Sequence, residues 1–520
     1  ARPPISTPDP VPDADPGGGT LRVGLDRDPT SLDPRFVVDG EGELIVGALF
    51  EPLVRLDDRS RIMFGAAESY EILDGGTAFR FRLRDAEFHD GTPVTAGDVK
   101  RTFDDIADTT ASRRSPWAFL LEPIRGADEA TNDGLAGVIV EDEQTIRIEL
   151  DEPDPGFLLT LAHPVLAPLP QAADDAASFA EQPIGNGPFA MAEPRARGSF
   201  LRLRAVDDHA REPQVNEVLF SVYGDETGRD LQWNDLSSGQ LHVGHVDPSR
   251  RADARTQFGA ANDGHAGSGV LDGLTGAVYL YAFDVAEPPF DDPRVRRAIS
   301  MSINRAAMSD ELFSGERVPA RSIVPPAIPG ATGSACDHCA FDQIGARQLW
   351  DEAAVEVTSI TLSHNRGATH AAIAERIAAD IERTFGVTVE LESWDLPTYL
   401  DQAAAGELSV FRLGWEPTEP DPGGYLEPMF HSTSPETENL TGYANEDVDA
   451  LLNEARIAEL RGVRMARYAD AERAILADAP VIPLFHYQLS LVVRPEVRGL
   501  RWSPLGRVDF AAIELITQAS

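Results

Sequence analysis

Two hydrophobic periods divide this chain. Phe79, Phe81 and Leu83 alternate with Arg80, Arg82 and Arg84, the period-two pattern of a half-buried strand. Similar alternation, or short apolar runs between turn residues, predicts strands at 20–25, 145–150, 199–206, 278–283, 358–363, 387–393, 409–413 and 490–494. Elsewhere the period is that of a helix. Ile373, Ile377, Ile381 and Phe385 recur every four residues across 369–386, and Gly386 is placed to end that helix. Val448, Leu451, Leu452 and Ala455 form an apolar stripe in 445–460 behind Asn445, a good N-cap. Pro293 after Asp292 opens a third helix, with Val295, Ala298 and Ile299 on one face. These stripes read as core. Mixed strands and helices without a repeat period predict α/β lobes.

The turns between these elements carry their own chemistry. After the Phe79 strand, Asp90-Gly91 supplies a tight turn, since Gly tolerates positive φ and Asp bonds nearby backbone. Thr95 then stands three residues before Asp98 and ahead of Val99 and Phe103, the spacing of a capping box opening an amphipathic helix. Gly185 and Gly187 flank Asn186 before Pro188, a predicted turn of unusual φ and a candidate hinge or crossover.

Composition narrows the classes. With 520 residues, 42% hydrophobic and 25% charged, the chain has material for two or three cored lobes. No apolar run approaches the ~20 residues of a membrane helix. The net charge is −41, and Lys100 is the sole lysine among 45 basic residues. Such acidity argues against nucleic acid or an anionic membrane as partner and reads as a solubility trait. Residues 1–19, rich in Pro, Asp and Gly, are expected to be a disordered leader. Cys336 and Cys339, in GSACDHCAFD, have no second Cys/His pair nearby to complete a zinc site. They are expected to close a small local disulfide, which fits an extracytoplasmic compartment, with free thiols and metal or redox chemistry as alternatives.

Catalytic signatures are missing. There is no G-x-S-x-G elbow, P-loop, G-x-G-x-x-G after a strand, or H-E-x-x-H. His242, His245 and Asp247 could make half of a metal site, and His89 could be read as a base, although its place in FHDG suggests a turn residue. The chain is expected to be no enzyme and to need no cofactor.

Five strings, in order, resemble a known family. They are SLDPRFVVDGEGELIVGALFEPLVRLD, then LRDAEFHDGTPVTAGDV, then PIGNGPF, then PPFDDPRVRRAISMSINR, and last GWEPTEPDPGGYLEPMF running on to NLTGYANEDVDALLNEAR. Together they resemble the peptide/nickel-type solute-binding proteins of ABC importers, extracellular solute-binding family 5. The resemblance implies an α/β fold of the type II periplasmic-binding-protein kind: two lobes joined by crossing strands, with an extra subdomain. It assigns 20–62, 185–284 and 488–520 to the first lobe, 63–184 to the extra subdomain and 285–487 to the second lobe. Hinge closure would trap a ligand between the lobes.

The expected site is the loop 414–425, GWEPTEPDPGGY, at the carboxyl end of a predicted strand, where open α/β sheets place ligands. Trp415 offers a flat apolar wall. In peptide-binding relatives an aspartate three residues after this tryptophan anchors the ligand's ammonium group. Here that position is Thr418, and carboxylates stand at Glu416, Glu419 and Asp421. Arg412 matches a position where some relatives hold a peptide carboxylate, for which arginine's bidentate geometry is suited. Val38 to Glu41, including Asp39, are expected to face the cleft, and so are Tyr281 and Phe283 on a crossing strand. The resemblance implies an extracytoplasmic monomer, held by a lipid anchor ahead of the leader, that hands an oligopeptide-like ligand to ABC permease subunits. A non-peptide solute (sugar, metal chelate) or a sensor partner on the same fold is the alternative.

Overall fold

The computed structural model describes residues 18–516 except 132, 175, 225 and 436, so 1–17 of the expected leader lie outside the described residues. The backbone is a mixed α/β structure built on one long sheet. Its order runs Thr388–Trp394, Ser359–Asn365, Val410–Trp415, Gly269–Phe283, Val481–Val493, Val243–His245, Thr20–Leu25, Glu217–Val222, Phe200–Ala205, Phe189–Met191. A separate four-stranded antiparallel sheet, Ala67–Leu73, Ala78–Leu83, Thr145–Glu149 and Val138–Asp142, forms within the 63–184 segment.

Gly269–Phe283 and Val481–Val493 pair antiparallel in the middle of the long sheet and run from one half into the other. Both are much longer than their sequence patterns predict, because each changes surroundings partway. Leu271 and Val493 lie in the core built on Thr20–Leu25, while Tyr279, Tyr281, Phe283, Ile482 and Phe485 lie in the core packed on Ala368–Phe385. Register shifts between Leu274/Val278 and Tyr279/Leu280 break the ladder next to Pro483, which has no N–H to donate.

The motif strings are held by local physical requirements. Thr95 and Asp98 form a reciprocal capping box at the start of Ala96–Ala107. His89 accepts from the Gly185 N–H at 3.0 Å and bonds the Gly187 carbonyl at 3.0 Å, tying FHDG to PIGNGPF. Asn186 in turn pairs both backbone groups of Glu51. Gly185 and Gly187 are not in the positive-φ region expected for them; instead, a Cβ on either would meet the backbone of Leu49 at 2.0–2.6 Å. Close approach, not turn conformation, demands glycine there. Burial lowers the His89 pKa to about 4, so the ring is neutral and structural.

Asp292 caps Pro293–Ser302 as the sequence suggests. The arginines that follow divide between surface and interior: Arg294 is exposed and pairs with Asp292 at 2.6 Å. Arg296 is buried, and with Arg297 it donates to the carbonyls of Ala477, Asp478 and Ala479 at the end of the helix Arg461–Asp478. Cys336 and Cys339 are joined as a disulfide.

Candidate functional site

The strand Val410–Trp415 places Arg412 and Trp415 on opposite faces of the sheet, as their odd separation requires. Arg412 lies on the face shared with Tyr279 and Tyr281, opposite Tyr281 in the register. Its guanidinium stands 5.0 Å from the Tyr279 ring centroid and reaches the Asn365 side-chain oxygen at 3.5 Å, the outer limit of a hydrogen bond. Arg412 Nε and the Tyr281 hydroxyl are buried and have no hydrogen-bond partner. His370 Nδ1 is 3.0 Å from the Tyr279 hydroxyl. Burial, then the nearby Arg412 charge, lowers the His370 pKa to about 4. The corner is thus a half-buried cation with an unused donor edge, among neutral hydroxyl, amide and imidazole groups. Such a corner can receive an anion of the size of a carboxylate.

Beyond Trp415 the chain forms a loop over a cavity of ≈ 500 Å³ shared by the subdomain and the loop, with Leu120, Leu159 and Thr160 on one wall and Trp415, Pro417 and Glu427 on the other. The Trp415 indole N–H donates to the Gly424 carbonyl at 2.7 Å, and the ring packs half-buried on the core beside it. Glu419 accepts from Thr160 at 3.0 Å and from Thr418 at 2.8 Å. Arg507 donates to the Thr418 carbonyl at 3.2 Å. Burial raises the Glu419 pKa against these bonds and the Arg507 charge. Glu416 is exposed and makes no ion pair among the described residues. Glu43 faces it from the helix Gly40–Leu49: burial raises the Glu43 pKa, Arg507 opposes this, and the Glu416 and Asp39 charges add to it.

Several expected site residues have other duties. Asp421 accepts from the Gly423 N–H at 2.9 Å and pairs with Arg464 at 3.0 Å, so it holds the loop's own backbone. Asp39 is the N-cap of Gly40–Leu49, accepting from Gly42 at 2.8 Å and from the Thr30 N–H at 2.9 Å. Glu41 pairs with Arg27 at 3.6 Å. Tyr281 and Phe283, expected to face the cleft, are corrected to core residues: they are 1% and 0% exposed. Aromatics on a strand covered by helices are claimed by packing first. His242 and His245 part company, the first accepting from the Arg22 N–H at 3.1 Å and the second bonding Asp26 at 2.7 Å.

The sequence reading missed Tyr279, Asn365, His370 and Glu43. Asn365 and His370 follow the strand predicted at 358–363, so the rule that selected 414–425, ligands at strand carboxyl ends, applies to them as well. No sequence signal pairs them with Arg412; only the sheet order does.

Two lobes spanned by paired crossing strands, with a polar corner and a loop-covered cavity, define a ligand-capturing binding protein. Residues 61–436 match the model of bacterial extracellular solute-binding proteins, family 5, and the chain belongs to that family. It is similar to the probable deoxycholate-binding periplasmic protein YgiS of Escherichia coli K12, 27% identical over 92% of this chain and 90% of that one. It is also similar to the oligopeptide-binding protein OppA of Bacillus subtilis 168, 25% identical over 95% and 92%. The murein tripeptide-binding protein MppA in its unliganded open form shares the fold, with a TM-score of 0.82 and 24% identity over 97% of this chain and 99% of that one. Family members are binding proteins that work outside the cytoplasm, and no helix among the described residues is long and apolar enough to cross a membrane.

Proposed function

We propose that this protein captures an extended, peptide-like zwitterion between its lobes and delivers it to an ABC permease, with no chemistry of its own. Arg412 carries the reading. A half-buried guanidinium with an unpaired Nε is poised for a carboxylate that completes it. Glu416 then supplies the other pole. Exposed and free of a cation, beside Glu43, it takes the ammonium end in place of the aspartate that Thr418 replaces. Glu419, tied to Thr160 and Thr418, orders the loop instead. Arg412 and Glu416 are four positions apart, roughly 13 Å at ~3.3 Å per residue, about the span of an extended tri- or tetrapeptide. Trp415, on the other face of the strand, offers its apolar ring to the cavity under the loop.

The division into 20–62, 185–284 and 488–520 against 285–487, with 63–184 added to the first, is the frame in which closure works. The crossing strands are its hinge, and Arg507 to Thr418 and Thr160 to Glu419 are contacts across it. A lipid anchor ahead of the leader and a monomeric state complete the proposal. The deoxycholate-binding relative supports a second reading, since an apolar acid also presents a carboxylate. The poles separate the two: a zwitterion needs Glu416, an apolar acid does not. Native mass spectrometry of the full chain with tripeptide and bile-acid pools tests this. Retention of tripeptides, weakened by both Arg412→Gln and Glu416→Gln, supports the peptide reading. Retention of bile acid alone, indifferent to Glu416→Gln, overturns it.

A further inference from the structure

A second arginine stands over the sheet face that carries Arg412. The helix Arg305–Phe313 ends at Ser314 in the left-handed conformation. The chain then turns at Gly315 into the short strand Val318–Pro319, which pairs with His486 and Phe485. Arg317 therefore enters beside the crossing strand Val481–Val493, and its backbone is held on both sides. The Ser309 hydroxyl donates to the Arg317 carbonyl, and the Ala320 N–H donates to the Leu484 carbonyl at 3.0 Å. The Arg317 guanidinium lies 3.9 Å from the centroid of the Tyr487 ring and 5.5 Å from that of Phe313, a cation seated on aromatic rings.

This cation has no anion. Arg317 is half-buried, and its guanidinium makes no hydrogen bond or ion pair among the described residues. Burial lowers its pKa, and Tyr487 and Glu316 offset only part of that. Glu316, the adjacent acid, has other company: burial raises its pKa, and the Arg251 charge opposes this more than the Arg317 charge does.

Arg412 shares the corner. Tyr279 lies opposite Phe485 in the register, so Tyr487 is its diagonal neighbour on the same face, about 7–8 Å away. Arg412 stands on the Tyr279 ring and Arg317 on the Tyr487 ring. Both charges reach one hydroxyl: burial raises the Tyr279 pKa, Arg412 opposes this, and Arg317 adds to the opposition. One ligand carboxylate at Arg412 would leave Arg317 unpaired, and an unpaired cation is costly to enclose when the lobes close.

We infer that the preferred ligand carries two carboxylates at its acid end, the terminal one at Arg412 and a side-chain one, from a final glutamate or aspartate, at Arg317. The inference rests on the peptide reading above and makes Arg317 a specificity-determining residue. Two carboxylates a few bonds apart on one residue suit two cations seated on neighbouring rings.

The test is calorimetry on the full chain with Ala-Ala-Glu and Ala-Ala-Gln, which differ in charge and hardly in size, against wild type and Arg317→Gln. About 0.15 M salt, with a screening length of ~8 Å, keeps the net charge of −41 from masking the local effect. Wild type should bind the glutamate peptide at least about tenfold more tightly, the lower end of what a charge-assisted bond contributes. Arg317→Gln should lose that preference while binding Ala-Ala-Gln as wild type does, which also shows that the variant is folded. Equal binding of the two peptides by wild type overturns the second carboxylate and leaves the peptide reading standing. A preference that survives in Arg317→Gln, or a variant that loses both peptides alike, overturns Arg317 as its source. Failure of wild type to bind either peptide overturns the inference and the peptide reading together.

Discussion

Replacing Arg412 by glutamine separates ligand recognition from folding, and the structure sets both magnitudes. In the free protein Arg412 has one ring contact, at 5.0 Å from Tyr279, and one bond at the outer limit, 3.5 Å from Asn365. A cation–π contact of this kind contributes about 0.5–1 kcal/mol. Removing a buried, unpartnered Nε offsets part of that loss. Stability should therefore fall by less than about 1 kcal/mol. Binding should fall much further. A charge-assisted bond contributes about 1.5–3 kcal/mol, so losing a bidentate grip costs about 2–4 kcal/mol, roughly 30- to 800-fold in Kd. The assay is calorimetry with Ala-Ala-Ala and its carboxamide against wild type and Arg412→Gln. Wild type should prefer the free acid, and the variant should lose that preference while binding the amide about as wild type does. Equal binding of acid and amide by wild type, or an acid preference that survives in the variant, refutes a carboxylate at Arg412.

Other outcomes follow from neighbouring groups. Trp415→Ala should weaken ligand binding at least about tenfold, ~1.4 kcal/mol, while the melting transition stays cooperative; unchanged calorimetric affinity would remove Trp415 from the site. Arg464→Met leaves the buried Asp421 without its partner, and should lower stability in urea titration by about 3 kcal/mol, the usual cost of breaking a buried pair. Burial pushes the Glu427 carboxyl from an ordinary 4.5 up to about 7, so the folded chain holds that proton more tightly than the unfolded one. Its stabilising contribution is complete below about pH 4.5 and is lost as pH rises through about 7. Glu427→Gln, scanned by thermal melts across that window, should flatten this part of the profile. With a net charge of −41, the melting temperature should rise between low salt and about 1 M salt, where the screening length falls to ~3 Å; a flat salt series would show that the acidic surface costs the fold little.

The sequence made the elements legible wherever a local rule governs them. Thr95 with Asp98, Asp292 with Pro293, and Asn445 open helices for reasons contained within a few residues. Gly386 ends Ala368–Phe385 in the left-handed conformation, as its position suggests. The loop after Val410–Trp415 was marked as a site from strand direction and family resemblance. Which of its carboxylates is free was not legible. Asp421 is consumed by Arg464, and Glu419 by Thr160 some 259 positions earlier. Glu416 is left exposed, an outcome set by partners remote in the chain.

Local pattern, capping and glycine spacing thus determined the α/β class, the positions of the best-marked strands and helices, and the family, because hydrophobic period and turn chemistry act over a handful of residues. Tertiary structure alone decided that Tyr281 and Phe283 are core and that Arg412 stands beside Tyr279, Asn365 and His370. Those outcomes depend on sheet order and register, which bring together residues from about forty to more than a hundred positions apart along the chain and set which polar groups find partners before a ligand arrives.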